Sequence, residues 1–225
     1  MNNSIQTIRE ILTKNYFSYL FYALVLFGIY PLILWEKADM NILVNDNIAN
    51  YTLDPVFIVY SQAFEGWLFL GIIVVMLFIS KQKTLMFIFS GLLCGVITMI
   101  LKDHIFGNVP RPTMFLPLDS YSHILQDISI YKEYFSFPSG HTMTAFAAMT
   151  LFATFTRRKW LQIVCFVIAF GAGFSRIYLL QHFFIDTYVG AIVGFCVSVL
   201  IYYLCTSVFS ISDTPLIRRN LKKND

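Results

Sequence analysis

Long uncharged apolar stretches dominate the chain, and short polar segments separate them. Six stretches approach the roughly 17–25 residues that an α-helix needs to cross a bilayer. They cover residues 16–35, 64–80, 84–101, 141–156, 160–175 and 183–209. This pattern predicts an all-α polytopic membrane protein with six transmembrane helices, which form a single membrane domain over residues 1–225.

The N-terminal segment has a different pattern. In a helix over residues 1–15, Ile5, Ile8, Ile11 and Leu12 fall on one side. One-sided apolar spacing next to basic residues is typical of a short amphipathic helix that lies at the membrane interface. We therefore predict an interfacial helix before the first span.

Composition agrees with a membrane protein: 57% of the residues are hydrophobic and 13% are charged, against about 25% charged in soluble domains. The formal net charge of +3 is too small to indicate a nucleic-acid partner. The four cysteines lie inside apolar stretches without metal-ligand spacing, so we interpret them as small buried hydrophobes and expect no metal or other cofactor.

The distribution of basic residues predicts the orientation. Eleven of the sixteen lysines and arginines fall before span one, between spans two and three, between spans four and five, or after span six. The positive-inside rule then places both termini and the tail over residues 210–225 in the cytoplasm. The loop over residues 102–140 and the turn near residues 176–186 both lie on the outer face.

Those two outer segments carry the candidate chemistry. The loop begins with KDHIFGNVPRP, which contains Lys102 and Arg111, and leads into PSGH, which ends at His141. The turn SRIYLLQHFFID supplies Arg176 and His182. Three cations and two histidines that meet outside the lipid predict a phosphate-binding site, since arginine forks and lysine charges suit a tetrahedral oxyanion.

Two local features refine this site. Ser139 and Gly140 stand where span four should begin, and a helix N-terminus with unpaired N–H groups binds anions. His182 and Asp186 are four residues apart, so they share a helical face if span six has begun by His182. Asp186 would then accept the Nδ1 proton and leave Nε2 free to attack phosphorus.

These motifs also resemble those of the type 2 phosphatidic acid phosphatases, a family of membrane enzymes related to soluble acid phosphatases and vanadium haloperoxidases. PSGH and SRIYLLQHFFID match the family pattern without a gap, whereas Lys102 and Arg111 are separated by eight residues instead of six. The resemblance implies that His182 is the nucleophile, Asp186 its orienting partner and His141 the general acid. It implies a phosphate-binding set of Lys102, Arg111, Ser139, Gly140 and Arg176.

The expected activity is that of a metal-independent lipid phosphatase at the outer face of a bacterial inner membrane, acting through a phosphohistidine. Undecaprenyl pyrophosphate and lipid A are the leading substrates. Phosphatidylglycerophosphate, phosphatidic acid and transfer of phosphate to another alcohol are alternatives. A vanadate-dependent haloperoxidase and an anion transporter form two further classes. The predicted partners are the lipid substrate and the bilayer, without nucleic acid or an obligate protein partner.

Overall fold

The structure is a computed structural model that describes residues 9, 11–63, 67–125 and 134–209. Within these ranges every regular element is helical, which confirms the predicted all-α class. The helices are α1 (Tyr16–Leu34), α2 (Asp39–Asn47), α3 (Asp54–Ala63), α4 (Trp67–Leu77), α5 (Lys81–Ile100), α6 (Pro112–Phe115), α7 (Gly140–Phe155), α8 (Lys159–Tyr178) and α9 (Phe184–Tyr203). The π-helical turns Leu101–Ile105 and Leu204–Val208 extend α5 and α9.

Among the described residues, four helices are long and apolar enough to cross a bilayer: α1, α5 with its π-helical turn, α8, and α9 with its π-helical turn. Their surfaces carry large apolar side chains that face outward. Phe27, Ile33 and Val167 are 72%, 73% and 60% exposed. Large apolar side chains exposed in this way suit contact with lipid rather than water. The prediction of a polytopic membrane protein is thereby confirmed.

The other two predicted spans correspond to shorter helices. α4 has 11 residues and α7 has 16, so at 1.5 Å per residue they are about 16 and 24 Å long against a hydrocarbon core of about 30 Å. The count of six spans, and the side on which the termini lie, stay predictions. Residues 11–14 are helical. Most of the predicted interfacial helix over residues 1–15, and all of the predicted tail over residues 210–225, lie outside the described residues.

Helix α7 is the central element of the fold. Ten of its 16 residues are buried, and it packs against α5, α8 and α9. Its contact with α9 is close because a Cβ atom on Gly194 would lie only 2.2 Å from the Met143 carbonyl oxygen. A side chain there would force the helices apart. This packing brings the first residues of α7 beside the first residues of α9.

Helices α2 and α3 match no predicted span and lie between α1 and α4 along the chain. Asn41 of α2 is fully buried and donates from Nδ2 to the carbonyl oxygens of Ile177 (3.3 Å) and His182 (3.0 Å). Asn45 of the same helix exchanges hydrogen bonds with the backbone of His123. Helix α2 therefore braces both the α8–α9 turn and the long loop.

Candidate active site

His182 lies in the turn between α8 and α9. Because α9 begins only at Phe184, His182 precedes the helix, so the condition for a helical face shared by His182 and Asp186 is not met. Their proximity comes instead from the helix cap, where Asp186 accepts a hydrogen bond from the Phe183 N–H at 2.9 Å. His182 Nδ1 lies 3.5 Å from Asp186 Oδ2, longer than an ordinary hydrogen bond. The orienting role of Asp186 stays a prediction.

The turn that carries His182 is tight. The Arg176 carbonyl oxygen accepts from the backbone N–H groups of both Gln181 (2.9 Å) and His182 (3.2 Å). Leu180 adopts a φ of 53°, a left-handed conformation that costs a non-glycine residue roughly 1–2 kcal/mol. The surrounding contacts therefore hold this turn in a strained conformation. The turn places Arg176, a candidate for phosphate binding, beside His182, the candidate nucleophile.

The PSGH segment forms the start of α7, as predicted. Ser139 is the N-cap, and its hydroxyl oxygen accepts from the Thr142 N–H at 3.4 Å and from the Thr142 hydroxyl at 2.9 Å. The Ser139 N–H donates to the Asp186 carbonyl oxygen at 3.1 Å, which joins the two helix starts directly. Gly140, the first residue of the helix, faces the cavity, whereas Ser139 is buried behind it.

The Arg111 guanidinium joins all three motif segments. It donates from Nε to the Tyr134 carbonyl oxygen (2.9 Å), from Nη1 to that of Gln181 (2.8 Å) and from Nη2 to that of Phe135 (3.4 Å). These bonds use three of its five N–H groups. In the part of the chain that the structure describes, the other two N–H groups stay available for an anion in the cavity that Arg111 lines. This side chain therefore both builds the site and faces it.

Lys102 lies in the π-helical turn Leu101–Ile105, which directly follows α5. A π-helical turn adds residues to a helix without lengthening it as an α-turn would, and such turns are frequent at functional sites. Lys102 and Arg111 line the same cavity despite the two additional residues between them. The longer spacing therefore does not separate these two cations.

One cavity of about 1100 Å³ collects most of the predicted site. Its walls include six predicted residues, Lys102, Arg111, Gly140, His141, Arg176 and His182. Ser139 and Asp186 are fully buried and support the wall from behind. The phosphate-binding and catalytic roles stay predictions, but the geometry brings residues from three distant segments into one chamber. Within the described part of the chain, no three histidine, cysteine or acidic side chains cluster as metal ligands do.

Electrostatics suit a neutral nucleophile among fixed cations. Burial, and then the charges of Arg111, Arg176 and Lys102, lower the pKa of the His182 imidazole well below its usual value. A neutral imidazole keeps a lone pair on one ring nitrogen, which the predicted role of His182 as nucleophile requires. Burial also lowers the pKa of the Arg111 guanidinium, which the Asp186 charge partly offsets, and an arginine still stays protonated. His141 lies in the field of the same three cations and His182.

Several supporting residues carry no sequence signal of their own. Ser61 of α3 accepts a hydrogen bond from Arg176 Nη1. Ser136 is fully buried and donates from Oγ to Asp186 Oδ2 at 2.5 Å. Gln181, which sequence analysis does not assign to the site, lines the cavity. A serine or glutamine beside a motif is common, so only the three-dimensional contacts identify these residues.

The two remaining histidines do not line the cavity. His104 is exposed. His123 places Nε2 2.9 Å from Asp54 Oδ2, and the Tyr178 hydroxyl donates to Asp54 Oδ1 at 2.8 Å. This cluster fastens the long loop to α3 and to the end of α8.

With this geometry established, comparison with known proteins identifies the family. The PAP2 superfamily model matches residues 83–208, more than half of the chain. The chain belongs to the PAP2 superfamily. A solved member, LpxE of Aquifex aeolicus, has 26% sequence identity and a TM-score of 0.60, over 73% of this chain and 93% of that one.

Two curated relatives are named as phosphatases of different lipids. The chain is 40% identical over 76 residues to a lipid A 1-phosphatase of Porphyromonas gingivalis, which covers 33% of this chain and 17% of that protein. It is 33% identical over 84 residues to phosphatidylglycerophosphatase B of Bacillus subtilis, which covers 33% of this chain and 39% of that protein. The chain spans less than half the length of the curated relatives it matches.

Replacement of Arg111 by lysine should destabilise the protein even without substrate. One ammonium group cannot replace three N–H bonds from a planar fork, and each buried carbonyl oxygen left unpaired costs roughly 1–3 kcal/mol. We expect Arg111→Lys to lower the thermal unfolding midpoint in detergent by several degrees. The exposed Arg157 provides the control, since Arg157→Lys should leave the midpoint unchanged. Equal midpoints for both variants would contradict the structural role of Arg111.

Proposed function

We propose that this protein is a phosphatase that removes a terminal phosphate from a membrane lipid through a phosphohistidine on His182. The observation that carries the proposal is one cavity lined by His182, His141 and the three cations Lys102, Arg111 and Arg176. Family membership and the lipid phosphatases among its curated relatives support the same activity.

The proposed reaction has two in-line steps. In the first step His182 Nε2 attacks phosphorus, the bond from phosphorus to the leaving oxygen breaks, and His141 gives that oxygen a proton. In the second step water attacks the phosphohistidine while His141 takes a proton from the water. The nitrogen–phosphorus bond then breaks, which releases phosphate and restores the neutral His182.

Positive charges around the phosphate would stabilise the transition state. Lys102, Arg111 and Arg176 line the cavity, and the N-terminus of α7 begins at the same place. Fixed cations and backbone N–H groups act strongly in a site that excludes water. This set supplies the charge neutralisation that metal ions provide in other phosphoryl-transfer enzymes, so we propose a metal-independent reaction.

The shape of the cavity supports a lipid substrate. From the cations it continues along α4 and α5 past apolar side chains. These are Phe69, Leu70, Ile73, Ile88 and Leu92. Such a chamber, polar at one end and apolar at the other, suits an amphiphile whose phosphate reaches His182 while its chain lies beside α5. We name this part, lined by these five residues with Gly91 and Gly95, the apolar arm.

Lipid A is the substrate that we favour, because a curated lipid A 1-phosphatase and a lipid A 4'-phosphatase are among the relatives. Phosphatidylglycerophosphate is the second candidate on the same grounds, and undecaprenyl pyrophosphate stays a hypothesis from the sequence. We propose that the site opens at the outer face of a bacterial inner membrane, with both termini inside, in agreement with the distribution of basic residues.

Replacement of His182 by alanine should abolish turnover. The assay measures inorganic phosphate released from lipid A, phosphatidylglycerophosphate, undecaprenyl pyrophosphate and phosphatidic acid, with and without a metal chelator. Wild type should release phosphate from at least one lipid regardless of chelator, and His182→Ala should lose at least 1000-fold in rate. His104→Ala, an exposed histidine outside the cavity, is the matched control.

Full turnover by His182→Ala would contradict the assignment of His182 as the nucleophile. Phosphate release that stops when the chelator is added would contradict the metal-independent reaction. If wild type instead moves a lipid phosphate or inorganic phosphate across vesicle membranes without cleaving it, the transporter alternative replaces this proposal.

Substitution of Gly95 should separate long-chain from short substrates. No atom lies within 4 Å of the position of a Cβ atom on Gly95, so this position opens onto the apolar arm. A phenylalanine there would occupy the space proposed for the lipid chain. We expect Gly95→Phe to lower kcat/KM at least tenfold for a long-chain lipid phosphate and less than twofold for a short soluble phosphate ester.

Gly71 of α4 offers the control, since its Cβ position is also open but does not line the cavity. Gly71→Phe should leave the ratio of the two substrates unchanged. If wild type treats the short and long esters equally, or if Gly95→Phe impairs both to the same extent, the apolar arm does not bind the lipid chain.

A further inference from the structure

Ser136 lies two residues before the PSGH segment and is fully buried. Its backbone N–H donates to the Val109 carbonyl oxygen at 3.1 Å, which ties it to the segment that carries Arg111. Its hydroxyl donates to Asp186 Oδ2 at 2.5 Å. Ser136 is not part of the cavity wall. It therefore contacts Asp186 without reaching the substrate.

The Asp186 carboxylate uses its two oxygens unequally. Oδ2 accepts from the Ser136 hydroxyl and from the Phe183 N–H, and the same oxygen lies 3.5 Å from His182 Nδ1. Oδ1 is buried and has no hydrogen-bond partner within the described ranges. Two donors from different segments thus set the rotation of the carboxylate, and that rotation directs Oδ2 toward the imidazole.

The Phe183 N–H alone would not define this orientation. A carboxylate held by a single backbone donor at a helix cap still rotates about its Cβ–Cγ bond. The second donor comes from across the site, since Ser136 and Asp186 are 50 residues apart in sequence. The Ser136 backbone also lies close to the His182 imidazole, where it acts to raise the imidazole pKa against the lowering by burial. Ser136 is therefore placed to order both members of the pair.

We propose that Ser136 is a positioning residue: its hydroxyl holds the Asp186 carboxylate so that Oδ2 faces His182 Nδ1, which keeps Nε2 aimed at phosphorus. This inference rests on the proposed phosphatase activity. Ser136 lies outside the PSGH, Lys–Arg and Ser-Arg…His…Asp motifs. Its proposed task is to hold Asp186 and His182 in the arrangement that attack on the bound substrate requires.

A merely structural role for Ser136 makes a different prediction. Loss of a buried hydroxyl costs stability wherever it occurs. Ser198 of α9 is equally buried, and its hydroxyl donates to the carbonyl oxygens of Ala147 (2.8 Å) and Gly194 (2.9 Å) away from the cavity. Ser198→Ala therefore provides a matched control for removal of a buried serine hydroxyl.

The experiment measures kcat and KM for the best lipid phosphate, together with the thermal unfolding midpoint. Ser136→Ala should lower kcat at least tenfold and change KM less than twofold, because phosphate binding does not involve the hydroxyl. Ser198→Ala should keep the wild-type kcat with a similar change in unfolding midpoint. A wild-type kcat for Ser136→Ala would overturn the proposal.

A double-mutant cycle with Asp186→Asn decides whether the effect passes through Asp186. In the Asp186→Asn background, Ser136→Ala should lower kcat less than twofold further, since the carboxylate it orients is already gone. The same tenfold loss in both backgrounds would mean that Ser136 acts elsewhere and would overturn the inference. Absence of phosphate release by wild type from every lipid would overturn the proposed function itself, a result separate from either outcome of the cycle.

Discussion

The whole candidate site depends on one buried guanidinium. Arg111 bonds to the backbone carbonyl oxygens of Tyr134, Phe135 and Gln181, so segments distant along the chain converge on it. A buried arginine is stable only when most of its N–H groups are paired. The carbonyl groups pair three of the five N–H groups of Arg111, and these bonds in turn fix where the loop and the α8–α9 turn must lie.

Burial of cations has a chemical consequence. Lys102, Arg111 and Arg176 line the cavity, and Arg176 donates a hydrogen bond to the Ser61 hydroxyl. Burial of the imidazole, and then the charges of Arg111, Arg176 and Lys102, lower the pKa of His182 and favour its neutral form. A dianionic phosphate is the ligand that best compensates such a site. In the proposed reaction, the positive charge that attracts the phosphate also favours the neutral, reactive form of His182.

The apolar pattern predicted the helical class and the approximate positions of the long helices. Charge-bearing motifs predicted six residues that line one cavity, and the N-cap residue Ser139 marked the start of α7. The long helices and the start of α7 could be predicted because burial in lipid and helix capping both depend on local sequence. The helical face considered for His182 and Asp186 does not form, because Phe183 is extended and caps α9 one residue after His182. Sequence spacing does not reveal at which residue the helix begins.

Other features depend on contacts across the fold. Helices α2 and α3 are short and of mixed polarity, so the apolar pattern does not predict them. Ser61 and Ser136 acquire importance only through Arg176 and Asp186, each more than 45 residues away in sequence. The π-helical turn at Lys102 is also invisible in the apolar pattern, although it lies where the Lys–Arg spacing departs from that of the family.

The central claim is that His182 forms a covalent bond to phosphorus. The most direct measurement is rapid acid-free quenching of the enzyme during turnover of a lipid labelled in its terminal phosphate, followed by mass spectrometry of the peptides. The account predicts a phosphate on His182 that is stable in alkali and lost in acid, and that is absent when His182 is replaced by alanine. Turnover without any labelled peptide, or label on another residue, would contradict it.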